Sequence, residues 1–200
     1  MKRLIVGAVI DSSSSMESQK RSVIEGYNEY LGTLSKEPAE VRLSRTHFDD
    51  DVRVEHGAQP LAAVPRLTMA NYNTVGSTAL YDGLGETILR LEKEAGAEDR
   101  VLVILMTDGD ENMSSRWDEV RLHAKVKEKE STGRWTFIML GANIIDVAAT
   151  ARNIGILPGN VLSFQLSEDG IAGAFEQVSD GTVRLLTDGS ESSKTFFQTE

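Results

Sequence analysis

The stretch Leu4-Ile5-Val6-Gly7-Ala8-Val9-Ile10-Asp11-Ser12-Ser13-Ser14-Ser15 decides how this chain is read. Its first seven residues are apolar and rich in β-branched side chains, the pattern of a short strand buried on both faces. Asp11 ends the run, and hydroxyls stand two and four positions later, at Ser13 and Ser15. A loop of this composition can turn one carboxylate and two hydroxyl oxygens to a single point. Hard oxygen donors suit Mg2+, Mn2+ or Ca2+ and not zinc. The same residues also fit a helix cap, because Asp and Ser side chains accept the free N–H groups of a helix N-terminus.

Two further segments decide between these readings. Asn73-Thr74-Val75-Gly76-Ser77-Thr78-Ala79-Leu80-Tyr81-Asp82 is expected to open a helix after a loop, and Thr78 offers another hydroxyl. Val101-Leu102-Val103-Ile104-Leu105-Met106 reads as a second buried strand, running into Thr107-Asp108-Gly109-Asp110-Glu111-Asn112. Asp11-x-Ser13-x-Ser15, Gly76-x-Thr78-x-Leu80 and Asp108, in that order, resemble the von Willebrand factor type A domain with its metal-ion-dependent adhesion site. The likeness covers about residues 1 to 165, with no departure at the five ligand positions. It implies that Asp11, Ser13, Ser15, Thr78 and Asp108 hold Mg2+, with Mn2+ or Ca2+ as alternatives. In the family the hydroxyls bind directly, the aspartates bind directly or through water, and a Glu or Asp of a partner protein completes the shell. The resemblance thus implies a metal-dependent protein-interaction module without catalysis. Compact family members that work beside AAA-type ATPases make such a system an expected partner.

Bulk composition agrees with one cytoplasmic domain. The chain has 200 residues, 40% hydrophobic and 26% charged, enough for a full core. A net charge of -10 argues against nucleic acid and anionic membrane as partners. The absence of cysteine removes disulfides, thiolate metal sites and a cysteine nucleophile. Lys2-Arg3 before an apolar run has the look of a signal peptide, but Asp11 cuts the run short and no small-residue cleavage site follows, so a strand is expected. No segment has the length of a membrane span.

Periodicity predicts strands over 3–10, 41–48, 52–55, 101–106, 135–140 and 161–166, and helices over 18–35, 79–94, 117–130, 144–153 and 168–178. Asp49-Asp50-Asp51 is expected as a hairpin turn and residues 60–72 as an irregular connection. Alternating strands and helices imply an α/β fold: a Rossmann-like, doubly wound, mostly parallel six-stranded sheet with one antiparallel edge strand and helices on both faces. Residues 1–180 are expected to form the domain and 181–200 a polar C-terminal tail. The strand order 3-2-1-4-5-6 would set strands one and four side by side at the switch point, where ligands bind beyond the carboxyl ends. Asp11 and Asp108 would then meet there.

Other residues take plainer readings. Ser12 and Ser14 are expected as spacers, Asp110 as a turn residue and Glu111-Asn112 as solvated loop. Asp49-Asp50-Asp51 reads as a solvated turn, although it resembles a cation site. His47, His56 and His123 lie on different elements, which argues against a zinc triad. Gly83-Leu84-Gly85 falls inside a helix and is no dinucleotide loop; Gly85 is expected to allow close packing. Trp117 and Trp135 are assigned to the core or its rim, and Phe196-Phe197 to docking on the domain. The alternative function is a Mg2+-dependent phosphohydrolase of the haloacid dehalogenase type, which also begins with an aspartate after strand one. That chemistry needs a second aspartate two positions later as general acid, and here the position is Ser13.

Overall fold

The computed structural model describes residues 2–144, 146–190 and 192–198. Strand β1 (Leu4–Asp11) is buried along its whole length, as its apolar run predicts. It is followed by α1 (Lys20–Leu34), β2 (Val41–Phe48), β3 (Val52–Pro60), α2 (Leu80–Glu94) and β4 (Arg100–Thr107). Then come α3 (Glu119–Ser131), β5 (Trp135–Ala142), α4 (Val147–Asn153), β6 (Val161–Phe164) and α5 (Glu168–Thr187).

The six strands form one sheet in the order β3-β2-β1-β4-β5-β6. All neighbours are parallel except β2 and β3, so the antiparallel strand is an edge, as expected. Alternate residues of the central strands feed two cores. Val6, Ala8 and Ile10 pack with Tyr27, Tyr30 and Leu31 of α1 and Phe175 and Val178 of α5. Ile5 and Val9 pack with Leu84 and Ile88 of α2, Leu122 of α3 and Val147 of α4. Parallel strands covered on both faces explain why the sequence signal was a continuous apolar run. Gly85 marks close helix packing: a Cβ there would lie 2.3 Å from the Trp117 ring.

Several boundaries differ from expectation. Between β1 and α1, Ser14–Gln19 form a 3-10 turn, and the α-helix begins at Lys20 rather than at 18. Consecutive serines compete for backbone hydrogen bonds and delay a regular helix. Strand β3 runs to Pro60 rather than ending at 55; it is a half-buried edge with register shifts near Arg45, so its alternation is blurred. Helix α4 begins at Val147; part of the expected span, Ile145, lies outside the described residues. Helix α5 extends past 178 to Thr187, so the boundary expected at 180 falls inside it. Gly181 and Thr182 look like a stop signal, but Thr182 bonds back to the Val178 carbonyl at 2.7 Å and Gly181 makes room for the Phe196 ring. Leu185, Leu186 and Phe196 are buried, so the segment after 180 is not simply a polar tail.

Candidate metal centre

The register of the sheet brings the expected residues together. Ile10 of β1 lies opposite Met106 of β4, so the next residues, Asp11 and Thr107, end their strands side by side. Asp11 is fully buried. Its Oδ1 accepts the Ser13 amide at 2.7 Å, and its Oδ2 accepts the Thr107 hydroxyl at 2.6 Å. Its carbonyl accepts the Tyr72 hydroxyl at 2.6 Å, which pins the end of β1 to the connection before α2.

A chain of oxygens then crosses the crevice. Ser13 Oγ lies 3.0 Å from Ser15 Oγ, and Ser15 donates to Asp108 Oδ1 at 2.6 Å. Ser15 therefore turns toward Asp108 and makes no helix cap, since the residue capping α1 is Gln19 and it makes no side-chain bond. Thr78 comes alongside: a Cβ on Gly109 would lie 3.1 Å from its Oγ1. Four of the five candidates, Asp11, Ser13, Ser15 and Asp108, are thus linked through hydrogen bonds, and Thr78 borders the Asp108 loop.

Among the described residues, no Lys, Arg or His is paired with Asp11 or Asp108. Burial pushes the Asp11 carboxyl up to about 6, against the opposing hydrogen bonds from Thr107 and Ser13, and the nearby Asp108 charge adds to the rise. Burial raises Asp108 as well, with the Ser15 hydrogen bond opposing. Asp108 Oδ2 is buried without a hydrogen-bond partner. Two carboxylates shielded from water, one with an orphan oxygen, are unfavourable alone and become favourable beside a positive charge. Three neutral hydroxyls and two carboxylates form a hard-oxygen donor set. Among the described residues, no group of three or more His, Asp and Glu gathers as a ligand cluster.

The surrounding residues fix the loops. Ser12 is more than a spacer: its buried hydroxyl donates to the Phe48 carbonyl at 3.0 Å and accepts from Arg53 at 3.1 Å. Ser14 bonds the Gly76 carbonyl through both its amide, at 3.1 Å, and its hydroxyl, at 2.5 Å. Gly76 has φ +70°, a left-handed conformation that favours glycine. Glu111-Asn112 is loop with Asn112 exposed, as expected, yet both side chains also bond the segment from Thr78 to Tyr81. Asn112 accepts the Thr78 amide at 2.9 Å and donates its own amide to the Thr78 carbonyl at 3.1 Å. Glu111 accepts the Tyr81 amide at 2.9 Å and the Ser114 amide at 2.6 Å.

Buried Asp82 accepts the backbone amides of Ser115, Arg116 and Trp117, at 3.1, 3.0 and 2.8 Å, and so ties α2 to the loop after β4. Sequence reasoning missed Asp82, Tyr72 and Thr107. Only Asp82 carried a visible signal, a carboxylate in the first turn of an amphipathic helix. Clefts of ≈ 550 and ≈ 580 Å3 lie beneath the C-terminal segment by Arg184 and Phe196 and beside Leu34 and Leu61, and none of the five candidate ligands lines them.

The comparisons point the same way as the geometry. A family model described as the von Willebrand factor type A domain matches residues 6–176. No curated protein matches the chain in sequence. Among solved structures, the pilus adhesin SpaC of Lactobacillus rhamnosus GG superposes with a TM-score of 0.75 at 14% identity, covering 93% of this chain and 30% of the adhesin. The von Willebrand factor domain of the type V pilus tip protein Mfa5 of Porphyromonas gingivalis gives 0.72 at 12% identity, covering 93% of this chain and 96% of that one. Proximal thread matrix protein 1 of the mussel byssus, whose structure has a zinc-occupied metal-ion-dependent adhesion motif, gives 0.65 at 18% identity over 89% of this chain and 45% of that one. At these identities the structural likeness concerns the fold. The chain spans less than a third of the length of the pilus adhesin.

Proposed function

The chain belongs to the von Willebrand factor type A family, and from that premise we propose that it is a metal-dependent protein-interaction module whose Asp11, Ser13, Ser15, Thr78 and Asp108 hold one Mg2+ ion. The observation that carries this reading is the Asp108 carboxylate, buried with one oxygen unpartnered and close enough to Asp11 to raise its pKa. The ion would supply an electrophilic position for one further oxygen, because two carboxylates at most offset its charge and hydroxyls add none. Mn2+ or Ca2+ would suit the same donors; a set rich in hydroxyls and free of imidazole and thiolate favours hard cations over zinc.

The chain's own residues prepare this position. Thr107 and the Ser13 amide hold the Asp11 carboxylate in place, and Ser15 holds Asp108. Asn112 and Glu111 fix the segment carrying Thr78, so little ordering is left to accompany binding. The partner is a protein that presents a Glu or Asp oxygen. No catalysis is proposed: Ser13 stands where a haloacid-dehalogenase-type hydrolase needs its acid, and the family match is to a different fold family. An AAA-type ATPase as partner gains nothing from the comparisons.

The test is capture of a partner from lysate in Mg2+, with wild type against Asp11→Ala, titrating chelator and salt separately. The net charge of -10 repels acidic partners at long range, so the attraction must be local to the ion. Chelator should abolish the complex, and salt near 0.2 M should leave it intact, since the Debye length is already below about 10 Å there. A complex that survives chelation but dissociates in salt would show that a surface charge patch binds the partner.

A further inference from the structure

Among the described residues, the exposed large apolar side chains are Met69, Val75, Met113 and Val120, at 58, 55, 50 and 78% exposure. Two of them adjoin the Thr78 segment: Val75 precedes Thr78 by three residues, and Met113 follows its hydrogen-bond partner Asn112. The Val75 amide donates to the Ser12 carbonyl at 2.8 Å, which holds this residue against the serine loop. Met113 follows Asn112, which is bonded to Thr78 in both directions, and its own amide is fixed by Glu111 at 2.8 Å. Backbone hydrogen bonds therefore tie exposed Val75 and Met113 to the loops that carry the serines and the partners of Thr78. Exposed apolar surface on fixed backbone is what a partner's side chains can cover with gain.

The charged side chains around them are mostly acidic. Glu17, Asp50, Asp51 and Asp110 are exposed. Asp50 lies against Gly76 and accepts the Ser77 amide at 2.7 Å; Glu17 accepts the Thr74 hydroxyl. The nearby cations already have partners: Arg53 with Asp49 at 2.5 Å, Lys20 with Glu17 at 3.8 Å, and Arg116 with Asp82 at 3.4 Å. An ion in the crevice attracts a carboxylate, whereas the rim repels a second one.

We propose that this face selects a protein segment in which one Glu or Asp is flanked by aliphatic side chains and by Lys or Arg. The single acid meets the ion, the aliphatics cover Val75 and Met113, and the cations pair with the rim. In an extended segment these flanking residues fall within about two positions of the acid, roughly 7 Å. The proposal rests on the metal reading above and adds the partner's flanking chemistry to it.

The experiment is selection of a random twelve-residue phage-displayed peptide library on the full chain in Mg2+, with elution by chelator. The eluted pool should be enriched in one Glu or Asp with Leu, Ile, Val or Met and with Lys or Arg beside it. The Val75→Ser, Met113→Ser double variant should capture that pool about tenfold less, and Asp50→Asn, Asp110→Asn should reduce the preference for basic flanks. Both variants should keep the wild-type rise in melting temperature with Mg2+, because they leave the ligands in place. An enriched acid with acidic or neutral polar flanks, or undiminished capture by the serine variant, would overturn the proposal while leaving the metal reading intact. An eluted pool without any acid, or no chelator-released enrichment at all, would remove both.

Discussion

Two acidic turns lie close together in this molecule, and they have opposite electrostatic characters. At Asp49-Asp50-Asp51 the carboxylates are matched: Asp49 accepts two Arg53 nitrogens at 3.0 and 2.5 Å and the Asp51 amide at 3.0 Å, and Asp50 accepts the Ser77 amide at 2.7 Å. At Asp108-Gly109-Asp110 the first carboxylate accepts one serine hydroxyl, has one oxygen without a hydrogen-bond partner, and pairs with no described Lys or Arg. The hairpin looks the more metal-like in sequence, with three aspartates in a row. The number of acids is thus no guide to their balance: in the turn we propose for the cation, a buried carboxylate has a charge that no described residue pairs. The contrast extends to the bases. On the hairpin side, burial and then Arg45 and Arg53 hold the His47 imidazole down at about 3, whereas across the crevice burial lifts the acids.

The largest effect should come from neutralising the unbalanced carboxylate. Asp108→Asn should be more stable than wild type without metal, because a charge that burial disfavours is gone. In Mg2+ at a hundredfold over the dissociation constant it should be the less stable, forgoing about 2.7 kcal/mol of ligand stabilisation. Thermal melts with and without Mg2+ would check this inversion; an Asp108→Asn variant that is the less stable in both conditions would break the comparison.

Next is pH. His47 stays neutral in the fold but takes a proton in the unfolded chain below 6.5, the ordinary value of a free imidazole. Its folded pKa is depressed, so its contribution is present above 6.5 and is lost as pH falls toward 3, by up to about 1.4 kcal/mol per pH unit. Denaturant melts at pH 7 and 5 should show wild type losing up to about 2 kcal/mol more than His47→Gln. Equal losses would mean that His47 is not held neutral.

Smaller effects sharpen the boundary between the turns. Gly76→Ala forces a left-handed alanine whose Cβ would lie 2.5 Å from Asp50 Oδ2, and should cost about 1–2 kcal/mol by denaturant melts while weakening Mg2+ binding through Thr78. Ser12→Ala should cost about 1 kcal/mol of stability, since its buried hydroxyl bonds Phe48 and Arg53, yet leave Mg2+ affinity unchanged. Ser13→Ala should do the reverse. Loss of metal affinity in Ser12→Ala alone would contradict the register of the loop.

Much of this was legible because it rests on local rules. The apolar runs at Leu4 and Val101 fixed two neighbouring parallel strands, and their ends located Asp11 and Asp108 without any knowledge of side-chain contacts. What stayed hidden depends on residues far apart in the chain. Nothing near Tyr72 announces that its hydroxyl reaches the Asp11 carbonyl, sixty-one positions away. Glu111 and Asn112 look like any polar loop until the start of α2 is set above them. The run from Gly181 to Phe196 misled because glycine usually ends helices, whereas here it clears space for an aromatic ring that arrives from the C-terminal segment. The edge strand β3 was shortened for a similar reason, since half-exposed residues carry little alternation.

Where a cation binds separates the two turns. Calorimetric titration of Mg2+ into wild type, Asp108→Ala and Asp49→Ala tests it most directly. The predicted result is one ion per chain in wild type, no binding in Asp108→Ala, and wild-type binding in Asp49→Ala even though that protein has lost its ion pair with Arg53. Binding that persists in Asp108→Ala and disappears in Asp49→Ala would place the cation in the hairpin and contradict the account.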